Sequence, residues 1–344
     1  MTVLVTGGAG YIGSHIVRAL QQRAEHVVVA DNLQSGDAGR IGDATLVQID
    51  LTGPASASAL SEVLNAYDVT AVVHMAALKR ADESVGSPLK YYRENISMLA
   101  NVLRAMDGTA ADKFVFSSSA AVYGNPPEDR VTELTPAMPI NPYGSSKLAG
   151  EWLVRDVARA SGIRAVSLRY FNVAGAGAHD LADPVPMNLV TRAIDALERG
   201  TVPQIFGDDY PTPDGTGVRD YVHVEDLANA HIAALVYLEH GQRYSVFNVG
   251  TGEGASVREV LRELRDVSGD DFEPQIAARR PGDPASVVAD ASMIREHFDW
   301  APQHDLRSMI ASAWAASQHP ASLHPVSSKV ESDTSAPNKE SRPS

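Results

Sequence analysis

The run Thr6-Gly7-Gly8-Ala9-Gly10-Tyr11-Ile12-Gly13 decides the fold, because it joins the first apolar segment of the chain directly to the first amphipathic segment. Its glycines permit a tight turn and let the backbone approach a pyrophosphate, which then rests on the N–H groups of a helix N-terminus. The spacing is G-x-x-G-x-x-G rather than the commoner G-x-G-x-x-G. An isolated match of this kind can be an ordinary turn, so the loop alone is a weak signal.

A carboxylate at the expected offset strengthens this interpretation. The second apolar run ends at Asp31, 18 positions after Gly13, close to the offset of about 20 for a group that holds ribose hydroxyls. The alternative is that Asp31 caps a turn at Asn32-Leu33. In a strand–loop–helix–strand context, the loop and the carboxylate together predict dinucleotide binding. Because a carboxylate disfavours a 2′-phosphate, they predict NAD rather than NADP, with Asp50-Leu51 as an adenine contact.

Strand-like and helix-like segments alternate through the first half of the chain. This alternation predicts an α/β fold with a Rossmann-type doubly wound parallel sheet, whose ligands bind beyond the carboxyl ends of the strands. The predicted strands are Val3–Thr6, His26–Asp31, Ala44–Asp50, Val69–Ala76, Lys113–Ser118 and Arg164–Tyr170. The predicted helices of this half are Tyr11–Gln22, Ala57–Ala66, Pro88–Met106 and Tyr143–Ser161.

After Asn172 the pattern becomes irregular and rich in Gly and Pro. We predict an NAD-binding domain over residues 1–172 and a smaller, discontinuous substrate-binding lobe over residues 173–318, with part of 218–250 returning to the first domain. The polar, Ser- and Pro-rich stretch 319–344 is predicted to be a disordered tail. Predicted helices of this half are Tyr221–His240, Ser256–Ser268 and Arg307–Gln318.

Composition narrows the classes of function. The 344 residues are 44% hydrophobic, which suffices for a sizeable core. The formal charge of −14 argues against nucleic acid or an anionic membrane as a partner. Cysteine is absent, which removes disulfides, thiolate metal sites and cysteine catalysis, and no metal site is predicted. With neither a signal peptide nor a long apolar window in the sequence, we expect a cytoplasmic protein.

A tyrosine and a lysine four residues apart give the first sign of chemistry. Tyr143 and Lys147 lie on one face of a predicted helix, about 5–6 Å apart at Cβ. A phenol with a pKa of about 10 is a poor base at neutral pH, but a lysine ammonium and a nicotinamide cation favour the phenolate and lower that pKa. Ser119, at the end of another predicted strand, either caps the strand or converges with Tyr143 on one sugar hydroxyl. Ser119, Tyr143 and Lys147 together are a specific sign of this chemistry, whereas each residue alone is not.

In these motifs, and from Val3 to about Trp314, the chain resembles the UDP-glucose 4-epimerase family of extended short-chain dehydrogenases. Matching segments beyond the glycine loop and the Ser/Tyr/Lys set are His74-Met75-Ala76-Ala77-Leu78-Lys79, Asn95, Arg169-Tyr170-Phe171-Asn172, Asp214–Val224 and Arg279-Arg280-Pro281-Gly282-Asp283. The resemblance implies that bound NAD takes hydride from C4 of a UDP-hexose and returns it to the other face. UDP-glucose and UDP-galactose then interconvert through a 4-keto intermediate.

The resemblance also implies a role for each matching residue. Tyr143 is the base, Lys147 tunes it and holds the nicotinamide ribose, and Ser119 hydrogen-bonds the reacting oxygen. The implied cofactor-binding residues are Gly7, Gly10, Tyr11, Ile12, Gly13, Asp31, Asn32, Asp50, Leu51, Ala76, Lys79, Asn95, Tyr143, Lys147 and Tyr170. The implied substrate-binding residues are Ser119, Tyr143, Asn172, Asn188, Arg219, Arg280, Asp283 and Val287.

Two of these assignments have structural alternatives. Arg219 and Arg280 are expected to clamp the UDP phosphates, since a guanidinium matches phosphate geometry. Alternatively, Arg219 pairs with Asp220 or Asp226, and Arg280 pairs with Asp283, which is otherwise expected at the uridine ribose.

In the family, the position seven residues after the second Arg gates the hexose C2 substituent. Here it is Val287, which leaves room for an N-acetyl group; alternatively, Val287 belongs to an ordinary buried strand. The resemblance further implies a homodimer through the helices Pro88–Met106 and Tyr143–Ser161, with apolar residues such as Leu99, Val102, Leu153 and Val157 at helical spacing. The alternative is that these residues face only their own sheet.

Two rival functions remain at this stage. A nucleotide-sugar dehydratase or decarboxylase shares the fold and cofactor, but a dehydratase usually carries Asp-Glu beside the position of Ser119, where this chain has Ala120-Ala121. A non-catalytic NAD-binding scaffold would keep the glycine loop and Asp31, yet it has little need of the complete Ser119, Tyr143 and Lys147 set.

Overall fold

A computed structural model of the chain describes residues 1–128, 130–280 and 283–319. The strands are β1 (Thr2–Thr6), β2 (His26–Asp31), β3 (Thr45–Gln48), β4 (Ala71–His74), β5 (Lys113–Ser117), β6 (Arg130–Val131), β7 (Arg164–Tyr170), β8 (Asn172–Ala174), β9 (Gln204–Phe206), β10 (Val218–His223), β11 (Tyr244–Val249), β12 (Gly254–Ser256), β13 (Gln275–Ala277) and β14 (Ser286–Ala289). The helices are α1 (Tyr11–Gln22), α2 (Ser56–Ala66), α3 (Ala81–Gly86), α4 (Pro88–Met106), α5 (Pro142–Ala160), α6 (Leu189–Glu198), α7 (Val224–Tyr237), α8 (Val257–Ser268), α9 (Ser292–His297) and α10 (Leu306–Ser317).

The main sheet of the described chain is parallel and has the strand order β11-β7-β5-β4-β1-β2-β3. Its strands are runs of buried Val, Leu, Ala and Phe, as expected for a sheet that is covered on both faces. The chain moves outward from β1 first to β2 and β3 and then to β4, β5 and β7. The direction of winding therefore reverses between β1 and β4, which is where such folds bind ligands. The predicted Rossmann-type α/β fold is confirmed.

Helices cover both faces of this sheet. On one face, Ile16 and Leu20 of α1 and Leu235 of α7 belong to one apolar cluster. On the other, Leu64 of α2 and Val154 of α5 belong to a second cluster that also includes residues of α4. Each strand can therefore bury both rows of its side chains.

A second group of short strands and helices follows β7. Its sheet has the order β12-β10-β14-β6, with β8 paired to β10, and a separate parallel pair joins β9 to β13. A third apolar cluster, which includes Ile194 of α6, Leu261 of α8 and Met309 of α10, forms the core of this part. Meanwhile β11 lies at the edge of the main sheet and α7 packs on α1. These placements support the predicted two-lobe division, whose boundaries stay a prediction.

One helix prediction was wrong at its start. Residues 221–223 belong to β10, and the helix is Val224–Tyr237 rather than Tyr221–His240. The register of β10 pairs Tyr221 with Asn172, and the ring nitrogen Nδ1 of His223 accepts the N–H of Glu225 at 3.1 Å, which caps the new helix. The apolar spacing here was compatible with either structure, and strand pairing decides between them.

The other boundaries shift by one to two residues at most strand ends. The helices predicted at Ser256–Ser268 and Arg307–Gln318 are observed as α8 and α10. The Ser256 hydroxyl and the Glu259 carboxylate form a reciprocal cap at the start of α8. No helix within the described ranges is long and apolar enough to cross a membrane. The tail predicted at 319–344 lies outside the described residues except for His319.

Candidate active site

The glycine loop between β1 and α1 is packed too closely for side chains. A Cβ on Gly7, whose φ is +68°, would lie 2.7 Å from the backbone N of Ala76 at the end of β4. A Cβ on Gly13 would lie 2.2 Å from the carbonyl oxygen of Gly7. The loop must therefore fold back on the start of α1, which leaves its backbone open toward the crevice between β1 and β4.

Asp31 lies beside this loop at the end of β2. Its Oδ2 accepts the N–H of Ala9 at 3.0 Å and its Oδ1 accepts the N–H of Leu33 at 2.9 Å. Asp31 therefore does cap the turn, as the alternative predicted. The same hydrogen bonds fix its carboxylate at the edge of the crevice. The neighbouring Asn32 caps its own turn by accepting the N–H of Gln34 at 3.0 Å.

The crevice is a cavity of about 380 Å³ beyond the carboxyl ends of the strands. All but one of the predicted cofactor-binding residues line it, namely Gly7, Gly10, Tyr11, Ile12, Gly13, Asp31, Asn32, Asp50, Leu51, Ala76, Lys79, Tyr143, Lys147 and Tyr170. The exception is Asn95, which is buried behind the wall, where its Oδ1 accepts the N–H of Leu78 at 2.8 Å and its Nδ2 donates to Ser146 Oγ at 2.9 Å. Sequence reasoning missed Gln34, Ser35 and Ser117, which also line the cavity.

Tyr143 stands at the first turn of α5 and reaches the end of β5. Asn141 caps the helix by accepting the N–H of Gly144 at 2.9 Å, and Pro142 occupies its first position. Ser119 adjoins Tyr143, since its side chain is one of the two groups that act on the pKa of this phenol. Ser119 Oγ also accepts the N–H of Ala121 at 3.2 Å, so the predicted cap and the predicted convergence occur together. Burial raises the pKa of Tyr143, and the hydrogen bond with Ser119 opposes that rise.

Lys147 lies one turn further along the same helix face and is 4% exposed. Its Nζ donates to the carbonyl oxygen of Ser117 at 2.7 Å and lies 5.2 Å from the centre of the Phe116 ring. Burial lowers the pKa of this ammonium to about 7, and the charge of Glu151 opposes the shift. A phenol and a labile lysine thus share the inner end of the cavity, which is an arrangement suited to moving a proton.

A second cavity of about 730 Å³ lies within the smaller lobe. It is lined by five of the predicted substrate-binding residues, namely Asn172, Asn188, Arg219, Arg280 and Asp283, and by Arg192, Phe206, Tyr210 and Tyr221. Asn188 caps α6 by accepting the N–H of Thr191 at 2.9 Å, while Asn172 is hydrogen-bonded to Tyr221. Arg192 was missed, although its position four residues after Asn188 places both on one helix face.

The arginines of this cavity have partners that differ from the sequence alternatives. Arg219 forms an ion pair with Asp283, not with Asp220 or Asp226. The Arg280 guanidinium stacks over the Phe206 ring, with Cζ 3.8 Å from its centre. Burial and the nearby charge of Arg192 lower the pKa of Arg280. Three guanidinium groups therefore face one cavity with few compensating carboxylates, which favours an anionic ligand.

Val287 lies in β14 and is 8% exposed. It belongs to the apolar cluster of the main core and is not among the described residues that line either cavity. Its register partner in the parallel pair is Arg219, which does line the second cavity. Paired residues of neighbouring strands share a face of the sheet, so Val287 lies next to a residue of the cavity wall without lining the cavity itself. Its role as a gate stays a prediction.

Comparison with known proteins identifies the family. Residues 3–250 match the NAD dependent epimerase/dehydratase family. A UDP-glucose 4-epimerase from Azospirillum brasilense is 48% identical over 308 residues, 88% of each chain. The chain belongs to this family. NAD is accordingly its cofactor, and the glycine loop, which a Cβ would obstruct, together with the Asp31 carboxylate, fits that group.

Solved structures agree with this assignment. A UDP-glucose 4-epimerase from Stenotrophomonas maltophila, crystallised with NAD and formylated UDP-arabinopyranose, superposes with a TM-score of 0.87 at 40% identity, covering 92% of this chain and 97% of that one. The UDP-Glc/GlcNAc 4-epimerase from Campylobacter jejuni superposes with a TM-score of 0.81 at 39% identity, covering 92% and 98%. The family resemblance predicted from the sequence is confirmed.

The closeness of Gly13 to Gly7 makes a testable prediction. In Gly13→Ala, the added methyl group must push the loop away from the crevice, so we expect NAD affinity to fall at least about tenfold, or about 1.4 kcal/mol. Gly162→Ala is the matched control, because no atom lies within 4 Å of its added Cβ. NAD retained per subunit after purification measures the effect, and thermal unfolding verifies folding. Equal NAD content in both variants would contradict the role given to the loop.

Proposed function

We propose that this chain is a UDP-glucose 4-epimerase, which interconverts UDP-glucose and UDP-galactose. The observation that carries the proposal is that Tyr143 and Lys147 line the NAD cavity together, with Ser119 acting on the Tyr143 phenol from outside its lining. An NAD-binding protein without catalysis has no use for this set. The curated relatives of 39–48% identity are themselves UDP-glucose 4-epimerases, which supports the same substrate.

In this proposal, the three side chains divide the work at one sugar carbon. Tyr143 takes the proton from the C4 hydroxyl, Ser119 donates a hydrogen bond to the same oxygen, and Lys147 stabilises the phenolate through its charge. Bound NAD supplies the hydride acceptor and donor for C4. After the sugar presents its other face, Tyr143 returns the proton to the same oxygen. No net oxidation results, so one tightly held cofactor serves repeated turnovers.

The second cavity holds the nucleotide part of the substrate. Arg219 and Arg280 bind the diphosphate, Asp283 binds the uridine ribose, and Asn172 and Asn188 contact the sugar or the diphosphate. The Arg219–Asp283 ion pair supports this assignment, because it keeps both groups oriented into the cavity until ligand groups replace each partner. Lys79 lines the NAD cavity and offers an ammonium group, so it suits the boundary between cofactor and substrate.

The rival functions have less support. Ala120–Val122 form a short 3-10 turn immediately after Ser119, and their side chains offer no acid–base pair for removal of water. A non-catalytic scaffold does not explain why a phenol and a buried lysine both line the cofactor cavity. The cytoplasmic location stays a prediction from the sequence.

The proposed reaction predicts activity without added cofactor. Purified protein should convert UDP-galactose to UDP-glucose, as followed by proton NMR of the anomeric signals. Tyr143→Phe should lower turnover about 100-fold or more, since the general base is lost, yet keep its NAD. Asp31→Ala should instead lose the cofactor first. A wild-type preparation that carries NAD and leaves UDP-galactose unchanged for hours contradicts the proposal.

The residue at position 287 bears on which sugars the proposed enzyme accepts. In this position, a residue without a phenol ring leaves space beside the hexose C2 group, and Val287 shares a sheet face with the phosphate-binding Arg219. The similar Campylobacter jejuni protein is named a UDP-Glc/GlcNAc 4-epimerase. We therefore extend the proposal to UDP-N-acetylglucosamine as a second substrate.

Val287→Tyr tests this extension. The larger ring should suppress turnover of UDP-N-acetylglucosamine by about 10-fold or more and leave UDP-glucose turnover within a few-fold, because apolar pockets discriminate by about 1–3 kcal/mol per small group. Competition assays with both sugars measure the ratio. Equal loss of both activities, or no N-acetyl turnover by the wild type, would show that Val287 is not the gate.

We further propose that the chain forms a homodimer through α4 and α5. Leu99 and Val102, which the sequence offered for this interface, are buried in the chain's own core and cannot carry it. The apolar surface is formed instead by a groove of about 560 Å³, which includes Leu103, Leu153 and Val157, and by the 52% exposed Trp152 beside it. Such a surface on two adjacent helices favours burial against a second copy.

Light scattering at micromolar concentration should give twice the mass of the 36.7 kDa chain. Trp152→Asp should shift the protein toward the monomer, because a charge would be buried at the interface. Leu134→Asp, at an exposed site outside both helices, is the control and should remain dimeric. A monomeric wild type would rule out the dimer.

A further inference from the structure

Ser117, which ends β5, and the two serines after it meet one face of α5 in three successive contacts. Tyr143, Lys147 and Glu151 follow each other at intervals of four residues, so they form one row along α5. Tyr143 contacts Ser119, Lys147 Nζ donates to the carbonyl oxygen of Ser117 at 2.7 Å, and Ser118 Oγ donates to Glu151 Oε1 at 2.5 Å. The first two contacts belong to the proposed chemistry, whereas the third has no role in it.

The side chain of Glu151 is buried and is held by several hydrogen bonds. It is 3% exposed and forms a bidentate ion pair with Arg169 of β7, whose Nη2 donates to Oε2 at 2.6 Å and whose Nε donates to Oε1 at 2.8 Å. Arg169 Nη1 also donates to the hydroxyl oxygen of Tyr123 at 3.0 Å, and Tyr123 in turn donates to Asn248 Oδ1 at 2.6 Å. Although burial opposes it, the contacts with Glu151 raise the pKa of Arg169. Arg169 therefore keeps its charge.

Burying an ion pair of this kind costs free energy of folding, so packing alone does not explain why the pair is present. Removing two charges from water costs several kcal/mol per ion, and well-packed apolar residues often stabilise a core as well or better. Its place on the helix suggests why charge is kept. The negative end of the pair lies one turn from Lys147, on the same helix face, and its charge raises the pKa of that lysine against the effect of burial.

The other groups around Lys147 do not supply that negative charge. His74 of β4 is neutral at neutral pH, because burial and then Lys147 lower its pKa to about 3. Tyr170 of β7, whose hydroxyl is hydrogen-bonded to Ser117 Oγ, has its pKa raised by burial and stays a neutral phenol. Further charged residues that line the same cavity are Asp31, Asp50, Lys79, Lys90 and Glu94. Among the described residues, Glu151 is the carboxylate whose charge raises the pKa of Lys147.

We propose that Glu151 is a positioning residue of the active site, which Arg169 and Ser118 hold in place so that its charge keeps Lys147 an ammonium beside Tyr143. This inference rests on the proposed function. Glu151 is not among the described residues that line either cavity. It acts through Lys147, and it connects the end of β5, the middle of α5 and the end of β7 into one rigid unit.

Glu151→Gln tests the proposal through the pH dependence of turnover. The substitution removes the negative charge that raises the pKa of Lys147 and leaves the positive charge of Arg169 uncompensated, so the pKa of Lys147 falls. The alkaline limb of kcat for UDP-galactose should therefore move to lower pH by roughly one unit. Glu151→Asp keeps the charge and should keep the wild-type limb. Asp112→Asn, which removes the carboxylate partner of Arg164 at the other end of β7, is the matched control and should also keep it.

A direct readout separates this inference from the assumed substrate. In NAD-loaded protein labelled with ¹⁵N-lysine, the Nζ signal of Lys147, assigned with Lys147→Met, should titrate at lower pH in Glu151→Gln than in the wild type. This measurement needs no turnover, so inactivity of the wild type toward UDP-galactose would contradict only the proposed function and not the role of Glu151. If Glu151→Gln does not fold, the double variant Glu151→Gln/Arg169→Gln takes its place. This variant removes both charges. The Lys147 titration should then move in the same direction by a smaller amount, since the negative end of the pair lies nearer Lys147.

Any of three results would overturn the proposal. One is an unchanged Lys147 titration in both the single and the double variant. Another is a loss of activity in Glu151→Gln that is equal at every pH, since a purely structural role lowers the amount of active protein and leaves the profile in place. The third is a shifted limb in Glu151→Asp equal to that of Glu151→Gln, which would count against a role for the charge.

Discussion

The backbone of Gly7 lies against Ala76 with no room for a side chain between them, and much of the molecule depends on this contact. It brings the turn after β1 against the end of β4, at the point where the winding of the sheet reverses. The crevice that opens there has backbone N–H groups on one side and the end of β2, with Asp31, on another. Cofactor binding is thus a consequence of how two neighbouring parallel strands diverge, with glycine as the residue that lets them approach.

The chemistry depends on a second contact, between α5 and the end of β5. Lys147 is buried where an ammonium is poorly solvated, so its charge is sustained by the carbonyl oxygen of Ser117, the Phe116 ring and the charge of Glu151. The low polarity that makes this charge costly also strengthens its effect on Tyr143. A row of three helix residues against three consecutive serines is a compact way to place the proposed base, tuning group and counter-charge on rigid elements. Loops would hold the same groups less well.

In the proposed function, the smaller lobe binds a dianionic nucleotide although the protein as a whole is acidic. Its arginines are concentrated on one cavity, and their partners there are an aromatic ring and a single carboxylate, Asp283. Cations held in this way keep their orientation without being neutralised. The net charge of −14 is therefore no obstacle to phosphate binding, because attraction at short range is set by the local groups.

Much of the cofactor site was determined by the sequence itself. The spacing of Gly7, Gly10 and Gly13, the offset of Asp31 and the four-residue interval between Tyr143 and Lys147 are local patterns, and a turn, a strand end and a helix face follow from them. The strand at residues 221–223, the Arg219–Asp283 pair and the Glu151–Arg169 pair were decided only by the tertiary structure. The paired residues stand 64 and 18 positions apart, and any of several oppositely charged residues could have met them. Which ones do so depends on the order and register of the strands, since neither charge nor spacing along a chain specifies a neighbour across a sheet.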